Sequence, residues 1–419
     1  MRRNKVRALQ RKLYRAAKQS LDRRFGALYD KVYREDILWE AWYRVRANNG
    51  KPGVDEQDFT TIEQEIGVEE FLAELGQELR EQRYRPRLVR RRWIDKPGRA
   101  EKRPLGIPVI RDRVGQMAAK IVIEPIFEAN FLDGSYGFRP KRSHHGAIRE
   151  IQRQITFGGK TEVIDADIRN CYGNIRHDLV MELVGRRVSD PRMLKLVRGW
   201  LEAGVLDDGE IIESDGVGTP QGGVISPLLS NIYLHAFDKM FELSGIDGTL
   251  VRYADDFVIL LRGNARKVLE RVRQMMARLG LELHPDKTRV VRADEGFDFL
   301  GVHFRRRPVR KPNARIPYTC HTWPSDRSIK RMRQRVQEVI GRRYFLSLEA
   351  LIEELNPVLR GWGNYHRPVA VSRKRLRKLD GYVRERVRIF LKRKYSDQSR
   401  GTRRLPDNLL VRLGLYQLG

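Results

Sequence analysis

The chain has 419 residues, with 83 Lys and Arg against 54 Asp and Glu, a formal charge of +29. That length supports a large core divided among two or three domains and excludes a small stapled module. The basic excess recurs in several segments and points to a polyanion, of which nucleic acid is the commonest, while no bare apolar helix face with Trp or Phe suits an anionic membrane. No apolar run is long enough to cross a bilayer, and the strongly charged stretch from Arg2 to Lys18 does not read as a signal peptide. A cytoplasmic protein is expected. Cys171 and Cys320 are far apart and lack partners at metal spacing, so neither a disulfide framework nor a zinc site is expected.

Residues 1–36 carry twelve basic and four acidic side chains, with Val6, Leu9, Leu13, Ala17, Leu21, Phe25, Leu28 and Val32 three or four apart. This predicts a basic amphipathic helical extension. Trp39, Trp42, Tyr43 and Val45 continue a helical pattern up to the Gly- and Pro-rich loop 48–53, and another helix is predicted over 67–82. Residues 87–94 alternate and lead through Asp95-Lys96-Pro97-Gly98 to Lys102-Arg103-Pro104, which predicts a basic hairpin carrying Lys96 and Arg103. Cations on a rigid hairpin suit a triphosphate or a phosphodiester backbone, and equally a solvated surface. Helices are predicted near 111–130 and 143–155, the latter with His144 and His145, which as helical neighbours face different directions and do not suggest a metal pair.

Residues 161–168 predict a strand with Asp165 and Asp167 on one face, an unusual cargo for a half-buried strand. Helices near 177–188 and 191–203 follow, then the turn Gly218-Thr219-Pro220-Gln221-Gly222-Gly223 and a helix bearing Leu228, Leu229, Ile232, Tyr233 and Phe237. Leu250-Val251 and Phe257 to Leu261 flank Arg252-Tyr253-Ala254-Asp255-Asp256, which predicts a hairpin with two carboxylates at its tip. A helix near 264–279, a strand from Leu281 to Val291 containing Asp286-Lys287, and a strand at 297–302 complete an α+β region with a helix layer behind an antiparallel sheet. In such a sheet Asp167 can meet Asp255 and Asp256. Residues 305–317 read as a Pro- and Arg-rich linker, and helices near 325–343, 347–360 and 372–395 predict an all-α domain.

Three converging carboxylates repel one another and raise one another's pKa unless cations lie between them. Two Mg²⁺ ions resolve that conflict, Mn²⁺ being the alternative, and such a pair serves in-line phosphoryl transfer. The acids alone suit a polymerase or a nuclease.

The set formed by Asn48 to Asp55, Arg103 to Pro108, Tyr136 to Pro140, Asp167-Ile168, Thr219 to Gly223, Tyr253 to Asp256 and Asn356 to Arg367 resembles a bacterial group II intron-encoded reverse transcriptase and maturase, in that family's order, over residues 36–395. The resemblance implies a right-hand polymerase with an antiparallel palm sheet followed by an all-α thumb or maturase domain. The boundaries expected are a basic extension at 1–36, fingers at 37–160, palm at 161–304, basic linker at 305–324, thumb at 325–395 and a short tail at 396–419. It further implies Asp167, Asp255 and Asp256 as metal ligands, with Ile168 beside them in both the metal set and the nucleotide pocket. Lys96, Arg103, Tyr172 and Gln221 would contact the incoming dNTP, Tyr172 as a gate against a 2′-OH, and Lys287 would protonate pyrophosphate. Asp165 falls outside the implied ligand set and is expected to pair structurally. The sequence departs from the family at Cys171-Tyr172-Gly173, where Phe often holds the gate, and after Tyr395, where no cysteine pairs of an endonuclease follow.

The implied partners are an RNA template, a DNA primer, dNTPs and a group II intron RNA, with a homodimer left open. The implied function is RNA-directed DNA polymerisation with assistance to intron splicing and mobility. A free-standing polymerase of this type serving DNA repair or phage defence, and a splicing cofactor with a vestigial polymerase, are the alternatives.

Overall fold

The computed structural model describes residues 2–95, 102–309, 315–371, 373–395 and 406–419. The amino-terminal lobe contains α1 (Arg2–Gln19), α2 (Tyr29–Val32), α3 (Glu35–Ala47), α4 (Phe59–Thr61), α5 (Val68–Arg80), the strands β1 (Val89–Asp95) and β2 (Lys102–Ile107), then α6 (Ile110–Glu128) and α7 (His144–Thr156). The middle of the chain runs through β3 (Glu162–Asp167), α8 (His177–Gly185), α9 (Pro191–Glu202), β4 (Val205–Asp207), β5 (Glu210–Ile212), α10 (Ser226–Leu243), β6 (Gly248–Tyr253), β7 (Asp256–Leu261) and α11 (Ala265–Arg278). The remainder comprises β8 (Arg289–Arg292), β9 (Phe297–Phe299), β10 (Val302–Pro308), β11 (Tyr318–Pro324), α12 (Asp326–Ile340), α13 (Leu348–His366), α14 (Lys374–Lys394) and α15 (Asp407–Arg412).

Helix α6 is apolar around most of its circumference and is buried accordingly, with Val114, Ala118, Ile121, Val122 and Ile126 in the largest core. The narrow stripe Val6, Leu13 and Ala17 seats α1 in that same core and leaves its basic face in water. The central sheet has the strand order β6-β7-β3-β8, antiparallel throughout. Beyond Asp256, every residue of β7 is buried, because both faces of the sheet are covered. Phe257, Ile259 and Leu261 enter the core shared with α10 and α11, whereas Val258 and Leu260 join Ile148, Ile151 and Phe304 on the opposite face. Burial of such side chains contributes roughly 1.5–3 kcal/mol each, so the alternation fixes the strand register.

Three stretches differ from the sequence reading. Residues 305–324 are not a plain linker: β10 and β11 pair antiparallel from Val302↔Pro324 to Pro308↔Tyr318, and β9 extends them to a three-stranded sheet. Val302 and Phe304 point inward, and Arg306 stacks on Tyr318 with its guanidinium 3.6 Å from the ring centre. The strand expected from Leu281 is confined to Arg289–Arg292, since Pro285-Asp286 interrupts it and Leu283 makes only an isolated bridge to Ile168. The hairpin β4–β5 has no counterpart in the sequence reading. It adds to the basic hairpin in the order β2-β1-β4-β5, with β4 parallel to β1.

The C-terminal helices α12, α13 and α14 form a bundle around Met332, Val336, Leu355, Leu359, Val383 and Phe390. The last residues pack back onto it: Leu410, Leu415 and Leu418 are buried, and Asp380 accepts hydrogen bonds from the backbone N–H groups of Leu418 and Gly419 at 2.9 and 3.0 Å. His144 and His145 both meet this bundle at Tyr365. His144 stacks on its ring at 3.8 Å, and His145 Nε2 lies 2.8 Å from its carbonyl oxygen. Trp362 and Tyr365 are half-buried, Trp362 donating to Ser328 Oγ and Tyr365 to the Leu300 carbonyl. Among the described residues no helix is long and apolar enough to cross a membrane.

Candidate active site

The carboxylates are gathered by sheet register. Strands β6 and β7 form a hairpin closed by Ala254 and Asp255, with Tyr253 opposite Asp256. Ala254 takes a positive φ of 58°, an uncommon conformation for a residue with a Cβ. On the other side of β7, Asp256 is the register partner of Asp167 in β3. Asp165, two residues earlier, shares that face, as the strand period requires. Its carboxylate is paired with Arg289 at 3.0 Å, and its charge adds a smaller contribution to the acidic cluster.

The electrostatics follow from this crowding. Although part of its surface is open to solvent, the Asp256 carboxyl has its pKa pushed up to about 7, first by loss of hydration and then by the like charges of Asp255 and Asp167. Burial also raises Asp255; the charge of Asp167 adds to the effect, while Arg103 and Lys287 oppose it. Lys287 Nζ is ion-paired with Asp167 Oδ2. Among the described residues no group of three His, Cys, Asp or Glu side chains stands ready as a metal cage, in keeping with the lysine on Asp167.

Ile168 is almost fully buried, so only its backbone can serve the site. The flanking residues Asp167 and Arg169 spend their backbone groups on His284 and Glu282, as acceptor and donor respectively. Strand alternation therefore turns the Ile168 carbonyl the other way, toward the Asp255 side. Tyr172 lies in a short 3₁₀ turn, Cys171–Asn174, and its carbonyl accepts from Thr219 N at 2.8 Å. Burial, then the nearby Asp255, raise its phenol pKa, and Arg103 lowers it.

Thr219 belongs to the Pro-Gln-Gly turn, which also touches β2: Gly106 N donates to Gln221 O at 2.6 Å. Gly222 adopts φ +123°, and a Cβ there would lie 2.2 Å from Gly106 O, so glycine is required for this close approach. The turn thus connects Tyr172 to the hairpin carrying Arg103, which sits exposed in β2 opposite Ile94. Lys96 lies outside the described residues. Asp167, Asp255, Asp256, Lys287, Tyr172 and Arg103 are therefore electrostatic neighbours, with Ile168 adjoining Asp167 and the Gln221 backbone bonded to the strand that carries Arg103.

Sequence reasoning missed Arg252, which adjoins the acidic tip and is completely buried beneath it with Asp238, Asn231 and Ser135. The available signal was the pair Asn231 and Asp238, seven residues apart on an otherwise apolar helix face.

Comparison with known proteins accords with this geometry. The family model described as reverse transcriptase (RNA-dependent DNA polymerase) matches residues 94–304, and the group II intron, maturase-specific domain matches residues 329–405. Protein YkfC of Escherichia coli K12 is 34% identical over 352 residues, which is 74% of this chain and 91% of YkfC. The group II intron-encoded protein LtrA of Lactococcus lactis is 36% identical over 232 residues, 55% of this chain and 38% of LtrA. An uncharacterized 91 kDa protein in the cob intron of Schizosaccharomyces pombe is 27% identical over 413 residues, covering 80% of this chain and 50% of that protein. The chain thus spans most of YkfC but half or less of the other two. With both family models matched in succession, the chain belongs to the reverse transcriptases, the RNA-directed DNA polymerases, of the group II intron-encoded type that carry a maturase domain.

Proposed function

We propose that this chain copies an RNA template into DNA from a DNA primer and also binds a group II intron RNA to assist its splicing and mobility. In this reading the lobe before β3 serves as fingers, the central sheet as palm and the α12–α14 bundle as thumb. The observation that carries it is the register pairing of Asp167 with Asp256, Asp255 lying in the adjoining turn.

The donor set suits hard divalent cations. Burial and the neighbouring like charges raise Asp255 and Asp256, and carboxylate oxygens are the ligands that Mg²⁺ or Mn²⁺ prefers. Asp167, Asp255 and Asp256 would hold the ions, assisted by the Ile168 carbonyl, and the ions would supply charge stabilisation to the attacking and leaving oxygens. Arg103 and Lys96 would neutralise the triphosphate, Gln221 and Tyr172 would bound the nucleotide, and Tyr172 would exclude a 2′-OH. Lys287 would donate a proton to the departing pyrophosphate, a reading supported by its ammonium being ion-paired with Asp167.

The intact carboxylates argue against a vestigial polymerase. The maturase-specific match and the basic helices α1 and α14 support the RNA-binding role. Extension of a DNA primer on an RNA template, with dNTPs and Mg²⁺, tests the polymerase. It should disappear in the double variant Asp255→Ala, Asp256→Ala, and persistence would refute the site.

A further inference from the structure

The arginine two residues before the Ala254–Asp255 turn is withdrawn from solvent. Arg252 is 0% exposed, and its guanidinium lies under the hairpin. An arginine has five N–H donors, and here each finds an acceptor. Nε and Nη2 grip the two carboxylate oxygens of Asp238, Nη2 also reaches Ser135 Oγ at 2.9 Å, and Nη1 reaches Asn231 Oδ1 at 3.1 Å and the Ala254 carbonyl at 3.0 Å. A buried guanidinium is tolerated only when satisfied in this way.

The last of these bonds bears on the chemistry. Ala254 holds the left-handed conformation from which Asp255 and Asp256 depart, and its carbonyl is fixed from below by Arg252. The turn is also closed from its other side. Arg252 N donates to Gly134 O and Tyr136 N to Arg252 O, both at 2.8 Å, and a Cβ on Gly137 would lie 2.3 Å from Ala254 N. Asn231 joins the two supports, since its amide donates to Gly137 O at 2.8 Å while its oxygen accepts from Arg252. Helix α10 supplies both Asn231 and Asp238, and at its start Ser226 Oγ accepts from Thr219 Oγ1 of the Pro-Gln-Gly turn at 2.8 Å. One helix thereby sets the spacing between the nucleotide turn and the catalytic turn.

We infer that Arg252 is a positioning residue for polymerisation, acting through the Ala254 carbonyl to hold Asp255 and Asp256 in register with Asp167, with Asp238, Asn231 and Ser135 holding Arg252 in turn. This rests on the polymerase reading of the site. Its partner Asp238 neutralises the guanidinium in place, so the contribution is geometric and Arg252 touches no substrate.

The test uses the full chain and single-nucleotide extension on a primer–template, assayed well below the melting temperature of each variant. Arg252→Lys keeps the charge and loses the fork. Its kcat should fall on the order of 100-fold, the effect of a displacement of about 1 Å at a reacting centre, while KM for dNTP and primer–template affinity stay within about threefold. Should Arg252→Lys fail to fold, Ser135→Ala and Asn231→Ala each remove part of the support, and both should show the same kcat-selective loss, about tenfold at the milder Ser135 site. A lower melting temperature with wild-type kcat in the folded variants would make the network merely structural and overturn the inference. Absence of extension by the wild-type chain would instead strike the polymerase reading itself.

Discussion

Asp167 and Asp256 face each other across the antiparallel register of β3 and β7, and Asp256 is the first residue of its strand. The pairing brings together carboxylates that are far apart in sequence, at the edge where the sheet stops and the turn begins. A carboxylate in that position loses much of its hydration and is also crowded by like charge, and these two effects, in that order, push the Asp256 pKa up to about 7.

The crowding has a measurable cost in protein free of divalent ions. The folded value of Asp256 lies above an unfolded value of about 4, so the folded chain binds the extra proton between these limits. Stability is therefore highest below the unfolded value and falls as pH rises toward 7. Asp256→Asn removes the charge, and in EDTA at pH 8 it should be more stable than wild type by about 1 kcal/mol, a figure reduced for the solvent access of the group. The gap should narrow as pH approaches 4, and Mg²⁺ at pH 8 should close it by stabilising only the wild type. Thermal melts of both proteins in the three conditions measure this, and equal melting temperatures in EDTA at pH 8 would refute it.

Tyr172 makes a different prediction, because its backbone is tied to Thr219 while its half-buried ring lies near Asp255 and Arg103. Tyr172→Val shortens the side chain without touching that backbone bond. Ribonucleotide incorporation relative to deoxyribonucleotide should rise roughly tenfold, equivalent to about 1.4 kcal/mol of lost discrimination. Single-nucleotide extension with matched dNTP and rNTP gives the ratio, and an unchanged ratio removes the gate assignment.

The strands that carry the carboxylates were legible because their patterns are local. Asp165 and Asp167 sit two apart, and Asp256 precedes an apolar run, so period and composition suffice to place them on one sheet. The strands β4 and β5 were not, since each has only three residues and β4 is held by a distant parallel pairing with β1. In β10 the arginines concealed the strand: Arg305 and Arg307 occupy the exposed positions that follow inward Val302 and Phe304, and composition suggested a linker. Arg252 was hidden for a related reason. A charged residue beside two aspartates reads as solvated, and only the tertiary partners on α10 and the 134–137 loop reveal it as buried.

The amino-terminal extension is attached through another residue whose role depends on distant partners. Asp190 is fully buried, caps α9 through the N–H groups of Arg192 and Met193, and accepts from Leu28 N and Tyr29 N at 2.9 and 2.8 Å. Burial alone would raise its pKa, but the N–H groups of Tyr29, Leu28 and Met193, with Arg192 nearby, outweigh it and hold the carboxyl below its ordinary range. Such a group contributes stability above the unfolded value of about 4, and that contribution is lost as pH falls through the lower folded value. Asp190→Ala leaves several buried donors without an acceptor and should cost about 3 kcal/mol at pH 7. Denaturant unfolding at pH 7 and pH 3 should show the difference between wild type and variant shrinking at the lower pH. Urea midpoints for Asp190→Ala equal to wild type at pH 7 would mean that these bonds do not anchor the extension.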